Sequence, residues 1–316
     1  MYCVGLDIGG TKCAVTLGRI EGDRITIEKK EQFATAGNTY NQVLERFCEV
    51  IDRMTVGVKI ASIGISCGGP LDSKAGIVLC PPNLPDWKNV PVCAYFREKY
   101  GVSVNLQNDA NACALAEWRF GAGKGSDNVV FLTFGTGFGA GLILDGKIYC
   151  GTNDNAGEVG HVRLTKNGPL GFYKYGSAEG YCSGNGIKQL ALMEIEKEQK
   201  KGKTPFILQK LGNLEAVNAK TVAEGAREGD ELCKRVYKKS GKNLGRILSI
   251  IIDILNPERI IIGGVFMRSG DLLLPHALKE IEREALYYSN SVVSILPAGL
   301  GENIGDYAAL AVAVSG

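Results

Sequence analysis

The chain has 316 residues, of which 45% are hydrophobic and 22% are charged, the composition of an ordinary globular protein with room for about two domains. Its 36 basic and 34 acidic side chains leave a formal net charge of +2, which is too balanced for a nucleic-acid-binding surface. The ten cysteines include no C-x-x-C pair, which indicates reduced thiols rather than a disulfide framework.

Neither a signal peptide nor a membrane span is expected. The N-terminus has no basic stretch followed by an apolar region, and the longest apolar run, residues 247–255, carries Asp253 and is too short to cross a bilayer. Together with the pattern of thiols, this predicts a cytoplasmic protein.

The predicted elements alternate between strands and helices. Apolar residues at helical spacing predict a helix over 40–54, and a Gly-, Pro- and Asn-rich loop over 67–91 is long enough to be functional. The other predicted elements are strands at 4–8, 12–17, 24–27, 60–66 and 102–106, a helix opening at 108–111, a strand–turn–strand at 129–144, helices over about 187–256, a strand at 259–262 and a helix at 306–314.

This order predicts an α/β protein made of two related domains with a cleft between them. We expect a smaller domain from residues 1–117 together with 300–316, and a larger domain from 118–299.

One pattern occurs twice, as a short apolar strand, a turn rich in Gly and Thr, and a second apolar strand. The first turn lies at 7–12 and contains Gly9-Gly10-Thr11; the second contains Gly135-Thr136-Gly137. Glycines let backbone N–H groups point directly at an anion. Two such turns facing each other could hold the phosphates of one nucleotide, which indicates phosphoryl transfer from ATP, although two plain hairpins would also fit.

Asp109 lies where a strand gives way to a helix. It could serve only as the N-cap, a position that Asp and Asn favour. It could also accept the proton of a substrate hydroxyl, because ligands of α/β proteins usually bind at the carboxyl ends of strands.

Other candidate residues lie near the two turns. Asp7 would repel phosphate unless Mg²⁺ stood between them, and Lys12 is either close to the same phosphates or simply solvated. Gly263-Gly264 after a buried strand would let adenine or ribose approach the backbone, or is a plain turn. Glu158 and His161 could both bind hydroxyl groups in one pocket, or His161 could be structural.

Together these motifs resemble the ROK family of sugar kinases and repressors, in the actin–hexokinase superfamily, over essentially the whole chain. That resemblance implies a duplicated, ribonuclease H-like ATPase fold. The segments that carry it are 7–12, Gly68-Gly69-Pro70, Pro82-Asn83-Leu84-Pro85, Asn108-Asp109-Ala110-Asn111, 135–139, Gly157-Glu158-Val159-Gly160-His161 and Gly263-Gly264.

The resemblance implies a role for each candidate residue. Asp109 is the catalytic base, and both turns bind ATP. The Mg²⁺ that the residues themselves indicate would be held by Asp7 through water, because Mg²⁺ retains several of its waters. The residues implied in sugar binding are Gly68, Gly69, Asn83, Asn108, Asp109, Glu158, His161 and Glu179. Those implied in ATP binding are Asp7, Gly9, Gly10, Thr11, Lys12, Thr133, Gly135, Thr136, Gly137, Gly263 and Gly264.

The chain departs from the family pattern in two places. Family repressors carry a helix-turn-helix domain before the first strand; because that strand is predicted to begin at Tyr2 here, we expect no such domain. Many members bind a structural zinc through a His and three Cys, but the three cysteine positions are here Leu170, Phe172 and Ser177. We therefore expect no zinc, and a segment held instead by packing of Leu170, Phe172 and Tyr173.

The sequence thus predicts a cytoplasmic, ATP- and Mg²⁺-dependent hexose kinase, with glucose and its 6-hydroxyl as the favoured substrate and a homodimer as the favoured assembly. It would bind neither nucleic acid nor membrane. Kinases of N-acylhexosamines or other aldohexoses, such as N-acetylmannosamine or allose, stay open, as does a catalytically silent sugar sensor. Intact phosphate turns and an intact Asp109 favour the enzyme.

Overall fold

The computed structural model describes residues 1–315, which divide into two units. The first unit comprises Met1–Phe131, Gly141–Ala156 and the stretch that begins at Ala298; the second comprises Leu132–Ala140 and Gly157–Pro297. The domains expected from the sequence, 1–117 with 300–316 and 118–299, stay a prediction.

Strands and helices alternate along both units. The strands are β1 (Tyr2–Ile8), β2 (Lys12–Glu21), β3 (Arg24–Ala34), β4 (Ile60–Cys67), β5 (Leu71–Asp72), β6 (Ile77–Val78), β7 (Ser103–Asn108), β8 (Val129–Phe134), β9 (Phe138–Leu144), β10 (Lys147–Ile148), β11 (Leu170–Gly171), β12 (Lys174–Tyr175), β13 (Arg259–Ile262) and β14 (Ser294–Pro297). The helices are α1 (Tyr40–Met54), α2 (Val92–Tyr100), α3 (Asp109–Phe120), α4 (Ala178–Tyr181), α5 (Gly184–Gln199), α6 (Phe206–Leu211), α7 (Ala219–Arg227), α8 (Glu231–Leu255), α9 (Val265–Glu284), α10 (Tyr287–Val292) and α11 (Ile304–Ala313).

The predicted α/β class is confirmed, and the two five-stranded sheets repeat one strand order. The first sheet has the order β3-β2-β1-β4-β7 and the second β10-β9-β8-β13-β14. In each sheet the first pair of strands is antiparallel and the last pair is parallel. The strand–turn–strand that occurs twice in the sequence therefore occupies the same place in both sheets, as β1–β2 and β8–β9.

The parallel strands of the first sheet bring functional residues to one edge. Asp7 on β1 lies opposite Ser66 on β4, and Cys67 of β4 lies opposite Asn108 on β7. Because the carboxyl ends of parallel strands meet at the same edge of a sheet, Asp7 and the start of α3 lie along that edge.

Helices cover this sheet from within the same unit. Helix α1 follows the predicted 40–54 and buries Val43, Phe47 and Ile51 in the core, behind a capping box formed by Thr39 and Gln42. Helix α11 packs against the glycines of β1 and β4, whose missing side chains let its backbone approach closely.

Some elements differ from the sequence expectations. Strand β3 continues to Ala34 rather than ending at residue 27, and α11 begins at Ile304 rather than at 306. The long loop after β4 contains the two-stranded hairpin β5–β6. Within residues 1–315, none of the helices has the length and apolar character needed to span a bilayer.

Candidate active site

Asp109 opens α3 directly at the end of β7. The Asn108 side chain accepts hydrogen bonds from the backbone N–H groups of Ala110, at 2.8 Å, and Asn111, at 3.4 Å. Asn108 is therefore the N-cap, and the reading of Asp109 as the N-cap is wrong. Asp109 is the first helical residue, and its Oδ1 also accepts from the N–H of Ala110 at 2.8 Å.

The carboxyl groups of Asp109 and Asp7 resist ionisation. The Asp109 side chain reaches solvent, yet the protein atoms around its carboxyl displace much of the water, and this desolvation raises its pKa. Desolvation also raises the pKa of Asp7, to about 6, and repulsion by Asp109 and Asp306 adds to the effect. Lys30 and Lys12 only partly offset it.

The carboxyl groups of Asp7 and Asp109 are ligands of the type that Mg²⁺ binds. Mg²⁺ is usually held by one or two carboxylates together with the phosphates of a nucleotide. A dication would remove the repulsion that Asp109 exerts on Asp7, so the donor set fits the metal that the sequence predicts.

The first glycine turn lies against the loop that carries Asn83. A Cβ added to Gly10 would stand 2.5 Å from the carbonyl oxygen of Asn83, so only glycine fits there. The carbonyl of Thr11 accepts from the N–H of Thr35 at 3.0 Å, which ties the turn to the end of β3. The turn thus brings a predicted nucleotide-binding residue into contact with a predicted sugar-binding residue.

Among the other predicted sugar-binding residues of this unit, Gly69 lies against Asn108. A Cβ on Gly69 would stand 3.5 Å from Nδ2 of Asn108, whereas nothing lies within 4 Å of the same position on Gly68. Asn83 is exposed, and the buried Leu84 and Trp87 anchor its loop.

The second glycine turn, in the second unit, is fixed by backbone contacts. The hydroxyl of Thr133 accepts from the N–H of Gly139 at 3.0 Å, and the N–H of Gly135 donates to the carbonyl of Gly137 at 3.0 Å. Gly264 has a φ of +67°, and a Cβ there would overlap the carbonyl oxygen of Phe134. Gly264 therefore packs directly on the turn, so two predicted ATP-binding segments are in contact.

Glu179 and His161 lie next to the same turn. Oε2 of Glu179 accepts from the N–H of Phe138 at 3.2 Å. The short 3₁₀ turn Val159–His161 follows Glu158, which is exposed, and a Cβ on Gly160 would overlap the carbonyl oxygen of Phe138. Gly160, the residue before His161, and the side chain of Glu179 thus both lie against the second glycine turn.

A cavity of about 410 Å³ lies beside the first turn of α9, which begins just after Gly264. Its polar walls come from α7 and α9, and Arg227 donates to both oxygens of Asp271, at 3.0 and 2.7 Å. Sequence reasoning did not single out these residues, because only the fold brings α7 to α9. The lining residues are Ala219, Lys220, Ala223, Glu224, Arg227, Val265, Arg268 and Ser269.

The segment at the family's zinc position is held mainly by hydrogen bonds. Leu170, Phe172 and Tyr173 are 37%, 55% and 90% exposed, so the expectation that their packing holds the segment is wrong. Gln189 instead exchanges two hydrogen bonds with the backbone of Leu170, at 2.9 and 2.8 Å, and Ser177 caps α4. Within residues 1–315, no three His, Cys, Asp or Glu side chains are grouped as a metal site.

The sequence matches the model of the ROK family over residues 3–315. The chain belongs to the ROK family. It is 34% identical over 271 residues to the glucokinase of Thermotoga maritima, covering 85% of this chain and 84% of that protein.

Two solved structures show the same fold. A ROK family glucokinase from Streptomyces griseus in complex with glucose and AMPPNP is 30% identical, with a TM-score of 0.78 and full coverage of both chains. A ROK family transcriptional regulator, a homologue of the Escherichia coli Mlc protein, is 25% identical with a TM-score of 0.86, covering 98% of this chain and 77% of that one. The predicted family, the actin-like hexokinase fold and the sugar-kinase class are confirmed.

Proposed function

We propose that this ROK kinase transfers the γ-phosphoryl group of ATP to the 6-hydroxyl of a hexose, with glucose as the preferred sugar. The proposal rests on the placement of Asp109. Asn108 caps the helix in its stead, and desolvation raises the pKa of the Asp109 carboxyl group. A raised pKa makes the ionised carboxylate a stronger base, which suits abstraction of a hydroxyl proton.

Asp109 takes the hydroxyl proton as the sugar oxygen attacks the γ-phosphorus. The new oxygen–phosphorus bond forms while the bond from the γ-phosphorus to the bridging oxygen breaks, and ADP leaves with that oxygen. The two glycine turns supply N–H groups to the phosphates, and Asn83, Asn108, Glu158, His161 and Glu179 bind sugar hydroxyls. Mg²⁺, when bound beside Asp7, supplies positive charge to the phosphates.

The adenosine is proposed to occupy the cavity between α7 and α9. Gly264 exposes backbone next to the second glycine turn, and the cavity opens at the same end of α9. Its volume of about 410 Å³ falls in the range of small-molecule sites.

A coupled assay of ADP release tests the substrate directly. Glucose, mannose, allose, fructose and the N-acetylhexosamines are compared at equal concentration, and we expect glucose to give the highest kcat/KM. An N-acetylhexosamine or allose in first place would correct the sugar and keep the reaction. Saturable sugar binding without ADP release would favour the silent sensor.

We also propose that the protein works without zinc. A structural zinc needs about four N or S ligands, and the positions in question hold Leu170, Phe172 and Ser177. Metal analysis of protein purified without chelator is expected to find far less than one zinc per chain, and EDTA should leave the melting temperature unchanged. A stoichiometric zinc would contradict this assignment and the role given to His161.

Cytoplasmic location and a homodimer complete the proposal. The ten cysteines are scattered and form no C-x-x-C pair, which supports a reducing compartment. The homodimer follows from the family resemblance, and sedimentation equilibrium would detect it as a mass near twice 33.8 kDa.

A further inference from the structure

The hairpin formed by β11 and β12 has an unusual turn. Its two central residues, Phe172 and Tyr173, have φ values of +33° and +63°. Two-residue turns in which both φ values are positive normally use Asn and Gly, because a bulky side chain is strained in the left-handed region. Neither ring gains full burial in return, since they are 55% and 90% exposed. Strained residues of this kind persist where neighbouring contacts hold them, often at functional sites.

The contact that holds Phe172 is the imidazole of His161. The two ring centroids lie 5.2 Å apart with an interplanar angle of 71°, an edge-to-face arrangement. Two residues later, Nζ of Lys174 donates to the carbonyl oxygen of His161 at 2.7 Å. One short hairpin therefore fixes both the ring and the backbone of His161.

The base of the hairpin is anchored to the helices that follow it. Gln189 on α5 bonds to the N–H and the carbonyl of Leu170. A Cβ on Gly171 would stand 2.9 Å from the Cβ of Glu179, so the hairpin also lies against α4. The hairpin is thus anchored at Leu170 and Gly171, and its turn contacts His161.

We propose that Phe172 is a positioning residue for hexose binding. Its ring, presented by the strained turn, restricts the rotation of the His161 imidazole so that a ring nitrogen is ready for a sugar hydroxyl. This inference rests on the proposed role of His161 in sugar binding and adds the residue that orients it. Fixing a side chain in its bound orientation beforehand removes part of the entropic cost of binding.

Kinetics of three variants test the proposal. Phe172→Ala should raise the KM for hexose about tenfold, with kcat and the KM for ATP nearly unchanged. Phe172→Tyr keeps the ring and should restore the KM to within about twofold. Tyr175→Ala is the matched control, because Tyr175 is also exposed on this hairpin and its bond to Arg163 uses the backbone carbonyl. An equal rise in KM for Tyr175→Ala would overturn the specific role of Phe172.

A double-mutant cycle separates positioning from general support. If Phe172 acts through the imidazole, Phe172→Ala should raise the hexose KM no further in a His161→Gln background. An equal additional rise in that background would overturn the proposal.

Imidazole NMR separates this inference from the proposed function. The chain has only two histidines, so the ring protons of His161 can be told apart from those of His276. Loss of the Phe172 ring should shift the His161 ring-proton resonances and leave those of His276 in place. Unchanged His161 resonances would overturn the inference even if the enzyme phosphorylates hexoses. Absence of all hexose phosphorylation in the wild type would overturn the proposed function while the NMR shift still reported the ring contact.

Discussion

At the scale of single residues, Asn108 determines what Asp109 can do. Both are favoured N-cap types and they are adjacent, so the sequence alone leaves the cap undecided. In the structure Asn108 is the N-cap, because its side-chain oxygen accepts hydrogen bonds from the N–H groups of Ala110 and Asn111. The carboxylate of Asp109 then lies at the edge of the sheet, where only its Oδ1 accepts from the start of the helix, at the N–H of Ala110.

Asp109→Asn should therefore separate catalysis from binding. The substitution keeps the size of the side chain and removes its basicity, and kcat should fall by at least about 10²-fold while the Kd for hexose changes little. Calorimetry for binding and the coupled assay for turnover check this. Asp145→Asn is the control, since Asp145 lies in a hairpin turn with a φ of +50° that Asn also accepts. Near-normal turnover of Asp109→Asn would refute the assignment.

Asp7 carries a stability cost that depends on pH. Its folded pKa, about 6, lies above the ordinary value of 3.8, so folding favours the protonated form. The ionised group therefore costs stability above pH 6, and the cost disappears as the pH falls through 3.8. Asp7→Asn should stabilise the metal-free protein by about 1–3 kcal/mol at pH 8 and change little at pH 3.5. Urea unfolding at the two pH values measures this; equal effects at both would contradict it.

At the scale of elements, two glycines decide how α11 packs. A Cβ on Gly64 would overlap the carbonyl oxygen of Ala309, and a Cβ on Gly5 would stand 2.9 Å from the Cβ of Ala309. Since Ala309 meets Gly64 through its backbone, a side-chain rotation cannot relieve the overlap. The helix sits close to the sheet only because β1 and β4 carry glycine there.

Gly64→Ala should accordingly destabilise the protein by about 1–3 kcal/mol or more, because α11 must move away from the sheet. Gly305→Ala, on α11 itself, is the control: nothing lies within 4 Å of its Cβ position, so the substitution should be neutral or slightly stabilising. Thermal unfolding of both variants checks the pair. A Gly64→Ala variant as stable as the wild type would show that this contact does not hold α11.

How far an element could be predicted depended on where its determinants lie. Helix α1 matches its expected span because its apolar spacing and its Thr39–Gln42 cap are local. The turn at Phe172 and Tyr173 lacks the Asn and Gly that mark such turns, so no local signal predicted it. The cavity between α7 and α9 depends on residues about 40 positions apart, which only the fold brings together.

At the scale of the whole molecule, the fold alone does not choose between kinase and regulator. Structures of both kinds match this chain over nearly its whole length. The choice rests on residues: the two glycine turns and Asp109 at the start of α3, which a protein that only senses sugar does not need. Function belongs to such a site rather than to the fold that carries it.

The most direct test of the kinase is to follow the phosphoryl group by ³¹P NMR while the protein is incubated with ATP, Mg²⁺ and glucose. We expect the γ-phosphorus signal of ATP to fall while a phosphomonoester signal, that of glucose 6-phosphate, grows in a one-to-one ratio with ADP. The Asp109→Asn protein should show neither change on the same timescale. Saturable glucose binding with an unchanged ATP spectrum, or ADP formed with free phosphate in place of a sugar phosphate, would contradict it.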